Sequence, residues 1–423
     1  MSNDVSVILF RLLFFVLFFG IQVLLYRRAA RWIRGHDRYQ SQTTWLVRAL
    51  FLWFNLPAVA GFVIRPELSS FPPWFMYSYV YPFFVWHGAT FLLGLIVIIT
   101  FLVKTPFRSF WWIAGKVKPE TVKKIEARPQ VQQFNRSRRT FLRRGMVGVT
   151  AASFGGATYG IAFENSQIDV IDVEIPVTGL PATVDGFQIA LISDTHSGPF
   201  MSRTTMEKVV RMANDLRPDI TLVTGDFVNS RLHEVFPFAE AFSGLNAPHG
   251  VYGVLGNHDF YTGQVEAVAK EVEECGITLL RDREIAVHHN GGSFSLAGID
   301  DAGSLTSARG RIARAYEENL VAGPRILMSH RPYYLRAAHE ARVALMLSGH
   351  THGGQVVLGR FGKTTLAPAA IASGYVWGNY RFESTRLYVN RGIGTVGLPI
   401  RLNCAPEITR IILRQSADPD GTA

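Results

Sequence analysis

The chain has 423 residues, enough for one large domain or two of ordinary size. Hydrophobic residues make up 48% of the chain and are concentrated in its first 110 residues, which argues against a wholly water-soluble protein. The formal net charge of +10 is also local, with basic clusters at 27–38 and 104–144, so juxtamembrane charge explains it better than a nucleic-acid partner.

Four apolar stretches occur in the N-terminal part of the chain. Residues 8–26, 46–64 and 81–103 are each long enough to cross a hydrocarbon layer of about 30 Å. Residues 1–110 are therefore predicted to form a transmembrane region of about three helices. Residues 145–163, richer in Gly, Ala and Ser, are predicted to form a fourth transmembrane or signal-like segment. Buried helices of a soluble protein remain the alternative, chiefly for the second and fourth stretches.

A basic segment, residues 111–144, precedes the fourth stretch and is predicted to be a cytoplasmic linker. It ends in S-R-R-T-F-L-R at 137–143, which resembles the twin-arginine export signal, although such signals normally stand at the N-terminus. These arginines are alternatively only the cytoplasmic anchor of a fourth span. Both interpretations place the chain after residue 163 outside the cytoplasm. If the fourth stretch does not cross, that part is cytoplasmic and tethered to the membrane.

From residue 164 onward, short apolar runs alternate with polar loops and helical stretches. Strands are predicted at 168–175, 187–193, 220–224, 251–255, 294–299, 325–329, 344–348 and 387–390. Helices are predicted between several of them, for example at 204–216 and 263–275. Strands interleaved with helices indicate a layered α/β domain over residues 164–423.

Metal-binding side chains follow several of these strands directly. The chain has 12 histidines, and five of them lie at such strand ends. The candidate ligands are Asp194, His196, Asp226, Asn257, His330, His350 and His352. Imidazole and carboxylate groups suit Zn, Fe or Mn, and one ion needs roughly three to five protein ligands. Seven candidates therefore predict two ions sharing a carboxylate, an arrangement suited to phosphoester displacement.

The ordered series D-x-H, G-D-x-x-N, G-N-H-D, H and G-H-T-H-G-G resembles the calcineurin-like metallophosphoesterase superfamily over about 168–413. The tail at 392–408 resembles its bacterial, membrane-associated YkuE/YaeI-like branch. The resemblance implies a four-layer αββα sandwich that binds two divalent ions (Mn, Fe or Zn). It assigns one ion to Asp194, His196 and His352, the other to Asn257, His330 and His350, and a bridging role to Asp226.

The resemblance also implies the catalytic groups. A hydroxide between the ions would attack phosphorus, and His258 would protonate the leaving oxygen. Asn229 stands where many relatives have an Asp that orients this histidine. Because an Asn cannot stabilise an imidazolium by charge, His258 is either a weaker acid here or is helped by another carboxylate such as Asp259.

The predicted function is that of a membrane-anchored phosphohydrolase acting on phosphomonoesters or phosphodiesters. The predicted location is a bacterial inner membrane, crossed several times, with the catalytic domain facing the periplasm or exterior. Lipid-linked or envelope phosphoesters suit such an anchor; the expected partners are the membrane and a twin-arginine translocase, with no nucleic acid. Two alternatives stay open. One is a UDP-2,3-diacylglucosamine-type pyrophosphohydrolase of lipid A synthesis, which needs a cytoplasmic site. The other is a non-catalytic membrane sensor or scaffold.

Overall fold

A computed structural model of the protein describes residues 2–35, 40–64, 66–362, 364–371 and 373–416. The chain divides into two compact units, residues 1–159 and 160–423. This division lies a few residues before the boundary at 163/164 that the sequence predicts. Each unit is described by itself below.

The described part of the N-terminal unit is mainly helical, with short turns such as residues 66–72 between its helices. Its helices are α1 (Ser2–Arg34), α2 (Gln40–Ile64), α3 (Pro73–Phe75), α4 (Tyr81–Val117), α5 (Pro119–Glu126) and α6 (Pro129–Ala162), and a π-helical turn, Met76–Val80, joins α3 to α4. The segment predicted as a basic linker is thus the end of α4, all of α5 and the first half of α6. The twin-arginine-like motif lies inside α6, and its use for export stays a prediction.

Apolar stretches long enough to span a membrane occur in this unit. By length and hydropathy they are Ser41–Gly61, Pro73–Val117 and Pro129–Ser166 among the described residues. They contain the second, third and fourth predicted stretches wholly or in large part, and the first predicted stretch lies within α1. The chain therefore has N-terminal apolar helices that meet the requirements of membrane spans.

The C-terminal unit contains the strands and the remaining helices. The strands are β1 (Asp169–Thr178), β2 (Gln188–Ile192), β3 (Ile220–Val223), β4 (Val251–Gly253), β5 (Thr278–Leu279), β6 (Arg283–His289), β7 (Gly292–Ile299), β8 (Arg325–Ser329), β9 (Val343–Ser348), β10 (Gly359–Phe361), β11 (Thr364–Leu366), β12 (Gly378–Phe382), β13 (Thr385–Val389) and β14 (Glu407–Ser416). The helices are α7 (Arg203–Asp215), α8 (Val235–Phe242), α9 (Asn257–Tyr261), α10 (Val265–Glu274), α11 (Leu305–Ala315) and α12 (Leu335–Glu340).

Two mixed sheets of six strands organise this unit. The first has the order β1-β14-β2-β3-β4-β5, and the second has the order β12-β13-β9-β8-β7-β6. In the first sheet β2, β3, β4 and β5 run parallel. In the second, β7, β8, β9 and β13 run parallel. Parallel neighbours bring the loops that follow them to one edge of each sheet.

Three buried apolar clusters show how the layers pack. Helices α7, α8 and α10 cover the first sheet through residues such as Phe238. Leu222 and Leu345 belong to the cluster between the two sheets. Helices α11 and α12 cover the second sheet through residues such as Ile312. The order helix, sheet, sheet, helix confirms the predicted four-layer αββα fold.

Candidate metal centre

All seven predicted ligands lie on loops that leave parallel strands of the two sheets. Asp194 and His196 follow β2, Asp226 follows β3, and Asn257 begins α9 just after β4. His330 follows β8, and His350 and His352 follow β9. The first sheet thus supplies four of the side chains and the second sheet supplies three. The site is built where the two sheets end together.

The predicted ligands from distant parts of the sequence converge in two groups, and a third group joins His196 and Asp226 to His258. The donor atoms of Asp194, His196 and His352 lie within 4.8 Å of one another, and Nε2 of His196 is 3.0 Å from Nε2 of His352. The donor atoms of Asp226, His330 and His350 form a second such group, in which Nδ1 of His350 is 3.1 Å from Nε2 of His330. Each group directs two imidazole nitrogens and a carboxylate toward a common point.

Asp226 lies between the two groups. Its Oδ2 is 3.4 Å from Nε2 of His196 and 3.2 Å from Nε2 of His330. Its Oδ1 accepts a hydrogen bond of 2.8 Å from the main-chain N–H of His258. One carboxylate oxygen therefore faces a histidine of each group, while the other oxygen is held by the backbone.

The backbone at these positions is conformationally restrained. Asp194, His196, Asp226, His350 and His352 have φ angles of 51°, 46°, 56°, 75° and 51°. Left-handed φ values are uncommon for residues other than glycine and persist only where the surrounding fold enforces them. The concentration of five such residues at one place is typical of a functional site.

Close packing of glycine against the ligands explains part of this restraint. A Cβ added to Gly349 would lie 2.2 Å from Oδ2 of Asp194. The main-chain N–H of His350 donates to the same carboxylate at 2.9 Å, and the Ser193 hydroxyl donates to it at 2.5 Å. The glycine lets the loop after β9 come close enough to hold Asp194 in one orientation.

Hydrogen bonds also orient two of the imidazole rings. Nδ1 of His330 bonds the main-chain oxygen of Thr224 at 2.8 Å, and Nδ1 of His352 bonds that of Gly394 at 3.3 Å. A ring that donates from Nδ1 to a carbonyl presents the lone pair of Nε2 on its other side. In both rings, Nε2 is the nitrogen that faces the other candidate ligands.

Burial and charge set the protonation of the histidines. Burial lowers the pKa of His196 to about 3 and the pKa of His352 to about 3, so both rings are neutral at pH 7. Burial also acts against protonation of His330, but the Asp226 carboxylate outweighs it and raises the pKa of His330 to about 10. A cation that binds here would meet two free imidazole lone pairs and would displace a proton from His330.

Two of the candidate ligands each have one buried polar atom without a hydrogen-bond partner among the described residues. They are Oδ1 of Asn257 and Nδ1 of His196, in side chains that are 5% and 3% exposed. Buried acceptors without a partner are rare, and a cation would satisfy the oxygen. Together with the imidazole and carboxylate groups, this oxygen makes a donor set that fits Zn, Fe or Mn. The residues present therefore fit a metal centre.

His258 lies beside this centre, with its ring 4.5 Å from the ring of His196. Its Nδ1 bonds the main-chain carbonyl oxygen of Asn229, so the position predicted to orient His258 does so through its backbone. The identity of the side chain at Asn229 therefore matters less to the ring orientation than the sequence suggests. Nε2 of His258 is left as the nitrogen available to a substrate.

The Asp259 carboxylate is bound to the backbone of the loops. It accepts hydrogen bonds from the N–H groups of Gly256 at 2.8 Å, Asp226 at 3.1 Å and Val228 at 3.2 Å. Burial and the neighbouring Asp226 raise the pKa of Asp259 to about 8. Asp259 therefore joins the loops after β3 and β4, a structural role that differs from the suggested support of His258.

The loop after β13 supports Asp194 through backbone hydrogen bonds, a contribution that the sequence did not predict. The N–H groups of Ile393 and Gly394 donate to the main-chain oxygens of Ser193 and Asp194, at 3.0 and 2.7 Å. This loop follows β13 and belongs to the tail motif that carries the resemblance.

Comparison with known proteins agrees with this geometry. The sequence model of the calcineurin-like phosphoesterase domain matches residues 187–354. The metallophosphoesterase YkuE of Bacillus subtilis is 32% identical over 292 residues, which cover 66% of this chain and 98% of that protein. The phosphodiesterase YaeI of Escherichia coli is 29% identical over 230 residues, covering 54% of this chain and 82% of that protein.

A vertebrate relative is described as a transmembrane protein. The transmembrane protein with metallophosphoesterase domain of Danio rerio is 34% identical over 270 residues, which cover 62% of this chain. The match spans only 60% of the length of that relative. The match to nearly all of the Bacillus protein shows that the chain belongs to the calcineurin-like phosphoesterase family, whose members are metal-dependent phosphohydrolases.

Proposed function

We propose that the chain is a membrane-anchored phosphohydrolase with two divalent metal ions. One ion would be held by Asp194, His196 and His352, and the other by Asn257, His330 and His350. Asp226, which lies between the two groups, would be shared by both ions. The position of Asp226 carries this proposal, because a single carboxylate oxygen faces Nε2 of a histidine in each group.

The two ions, when bound, would polarise the phosphoester and activate water for in-line displacement. The chain itself supplies the proton of the leaving group. His258 is the group suited to this role, since its Nδ1 is fixed by the Asn229 carbonyl and its Nε2 is left to exchange a proton. The fixed ring needs no reorientation when the substrate binds, which favours transfer at a defined position.

Phosphodiesters near a membrane are the proposed substrates. The Escherichia coli relative is named a phosphodiesterase, which favours the diester class. Three apolar stretches of spanning length precede the catalytic unit, so a lipid-linked or envelope phosphoester would be close at hand. With the catalytic unit outside the cytoplasm, a nucleotide-linked lipid A precursor is disfavoured as the substrate.

Hydrolysis of bis(p-nitrophenyl) phosphate by the full chain in detergent, with added Mn²⁺, tests the activity. We expect turnover that chelation abolishes and that Asp226→Asn and His258→Ala strongly reduce. His289→Ala is the matched control, because this histidine lies at the β6–β7 turn and is not among the candidate ligands. A protein that binds metal but does not hydrolyse the substrate would refute the proposed enzymatic activity and favour a sensor or scaffold.

A reporter fused at the C-terminus tests the orientation. We expect a β-lactamase fusion to protect the cells from ampicillin, which requires the C-terminus outside the cytoplasm by either route. A fusion to a reporter that works only in the cytoplasm should be inactive. Replacing Arg138 and Arg139 together by Lys separates the two export routes, because twin-arginine transport would then fail while insertion of α6 as an ordinary span would persist. An active cytoplasmic reporter would overturn the proposed orientation and restore nucleotide-linked substrates.

A further inference from the structure

An arginine without exposed surface lies behind the metal centre. Arg401 is 0% exposed, and within the described residues every oxygen that it bonds is a main-chain carbonyl. Its Nη1 donates to the oxygen of Cys404 at 3.1 Å. Its Nη2 donates to the oxygens of Arg391, Gly392 and Gly394, at 3.0, 3.0 and 2.6 Å. A buried cation is costly unless its donors are satisfied. Because Nε of Arg401 has no partner among the described residues, the compensation comes from these carbonyls, which are held in one arrangement around the two Nη groups.

Two of these residues contact candidate ligands of the same ion. Gly394 donates from its N–H to the main-chain oxygen of Asp194 at 2.7 Å, and its own oxygen bonds Nδ1 of His352 at 3.3 Å. A Cβ added to Gly392 would lie 2.7 Å from Cβ of Asp194, so this backbone packs directly on the ligand. Arg401 therefore fixes the loop that fixes both Asp194 and His352.

The other side of Arg401 contacts the beginning of the C-terminal unit. Its main-chain N–H donates to the oxygen of Gly160 at 3.2 Å, and a Cβ on Gly160 would lie 2.3 Å from the oxygen of Arg401. Three residues further along, the N–H of Cys404 donates to the buried carboxylate of Glu164 at 2.7 Å. Residues 160–166 contain the last turn of α6 and the short 3₁₀ turn after it.

We propose that Arg401 is a positioning residue for the ion held by Asp194, His196 and His352, and that residues 160–166 set its position. The proposal rests on the ligand assignment above. It couples residues 160–166, at the beginning of the C-terminal unit, to the affinity of one of the two metal sites. A displacement of that segment moves Arg401, then the carbonyl of Gly394, then the ring of His352.

Metal binding by the full chain in detergent tests the role of Arg401. Titration calorimetry with Mn²⁺ should resolve two binding steps in the unmodified protein. In Arg401→Gln we expect the affinity of one binding step to fall by about tenfold, which is typical for the loss of a group that orients a metal ligand, while the affinity of the other step is unchanged. Arg401→Lys keeps the charge but loses the planar guanidinium group, so its metal affinity should lie between those of the unmodified protein and Arg401→Gln.

A matched control separates positioning from general packing. Arg325 also donates to a main-chain carbonyl, that of Ala341 at 2.9 Å, at the far end of the second sheet. Arg325→Gln should leave both binding steps unchanged. A folded Arg401→Gln protein, judged by circular dichroism, with both steps unchanged would overturn the proposal.

The Glu164 contact gives a second test that does not disturb the buried arginine. Glu164→Ala removes the acceptor of the Cys404 N–H and should weaken the same binding step, whereas Glu164→Gln keeps an acceptor oxygen and should restore it. Equal binding by both variants and the unmodified protein would refute the coupling to residues 160–166. A chain that binds two ions but hydrolyses no phosphoester would remove the proposed function and leave this inference standing.

Discussion

The substitution Gly256→Ala tests how closely the loops after β3 and β4 hold Asp226. An added Cβ would lie 2.2 Å from Oδ1 of Asp226 and 2.5 Å from its main-chain nitrogen. The backbone of Gly256, at φ −96° and ψ 177°, is one that alanine adopts freely. The substitution therefore introduces a steric contact with Asp226 and no backbone strain.

Hydrogen bonds of its side chain and of its backbone restrict the movement of Asp226. Its Oδ1 accepts from the N–H of His258, and its own N–H donates to the carboxylate of Asp259. Relief of the contact requires a shift of about 1 Å, a misplacement that can lower the rate by about a hundredfold. Overpacking at such a site also costs about 1–3 kcal/mol of folding free energy.

Two measurements on the full chain check this prediction. We expect kcat/KM for the chromogenic diester to fall by about a hundredfold in Gly256→Ala, with a lower Tm. Gly310→Ala is the control, because Gly310 lies in α11 and an added Cβ there meets no atom within 4 Å. That variant should keep its activity and gain up to about 1 kcal/mol in stability. Unchanged kcat/KM and Tm in Gly256→Ala would refute the close packing.

Three further predictions follow from the same site. Asp259→Ala leaves three buried N–H groups unpaired and should lower the free energy of unfolding, measured by chemical denaturation, by about 3 kcal/mol or more. Asp259→Asn should be intermediate in stability, and equal stability of the two variants would contradict the role of Asp259 in joining the loops. Asn229→Ala should keep most of the activity because the backbone carbonyl orients His258, whereas His258→Ala should lose about a hundredfold or more; equal losses would assign the role to the Asn229 side chain. Metal binding near neutral pH should release at least one proton, because His330 must be neutral to bind a metal, whereas Asp226 raises its pKa to about 10 against the effect of burial. Calorimetry in buffers of different ionisation enthalpy measures this release, and the absence of proton release would contradict the assignment of His330 as a ligand.

The fold class and the convergence of the candidate ligands were predictable because both are local in the sequence. Each ligand stands one to four residues after a strand, and parallel strands in an α/β sheet bring such positions to one edge. Strand β14, which lies between β1 and β2, was not predicted as a strand. Its burial alternates from Thr409 to Arg414, but its sequence does not alternate between apolar and polar residues, because Thr409 occupies a buried position and Ile412 a half-buried one. The basic segment 111–144 was predicted as a linker, but Lys, Arg and Gln are good helix formers, and charge alone does not argue against a helix.

The contribution of Asn229 and Arg401 could not be predicted from side-chain chemistry. Sequence motifs display side chains, whereas Asn229 bonds His258 through its carbonyl. Arg401 is a lone charged residue in an apolar tail, a pattern more typical of a surface position. Its burial depends on the carbonyls of residues 391, 392, 394 and 404 and on Gly160, which is far away in the sequence. Such a role is created by tertiary structure and leaves no local signal.

On the proposed assignment, each ion takes ligands from both sheets. The first joins Asp194 and His196 after β2 to His352 after β9, and the second joins Asn257 after β4 to two histidines of the second sheet. Because neither sheet alone provides a complete site, ligand geometry depends on the packing between the sheets, where the buried apolar cluster resists sliding. The bond from His330 to the oxygen of Thr224 crosses the same boundary. Metal binding should therefore stabilise the contact between the sheets as much as the loops themselves, since any ligand bound only by the native state shifts the folding equilibrium toward it.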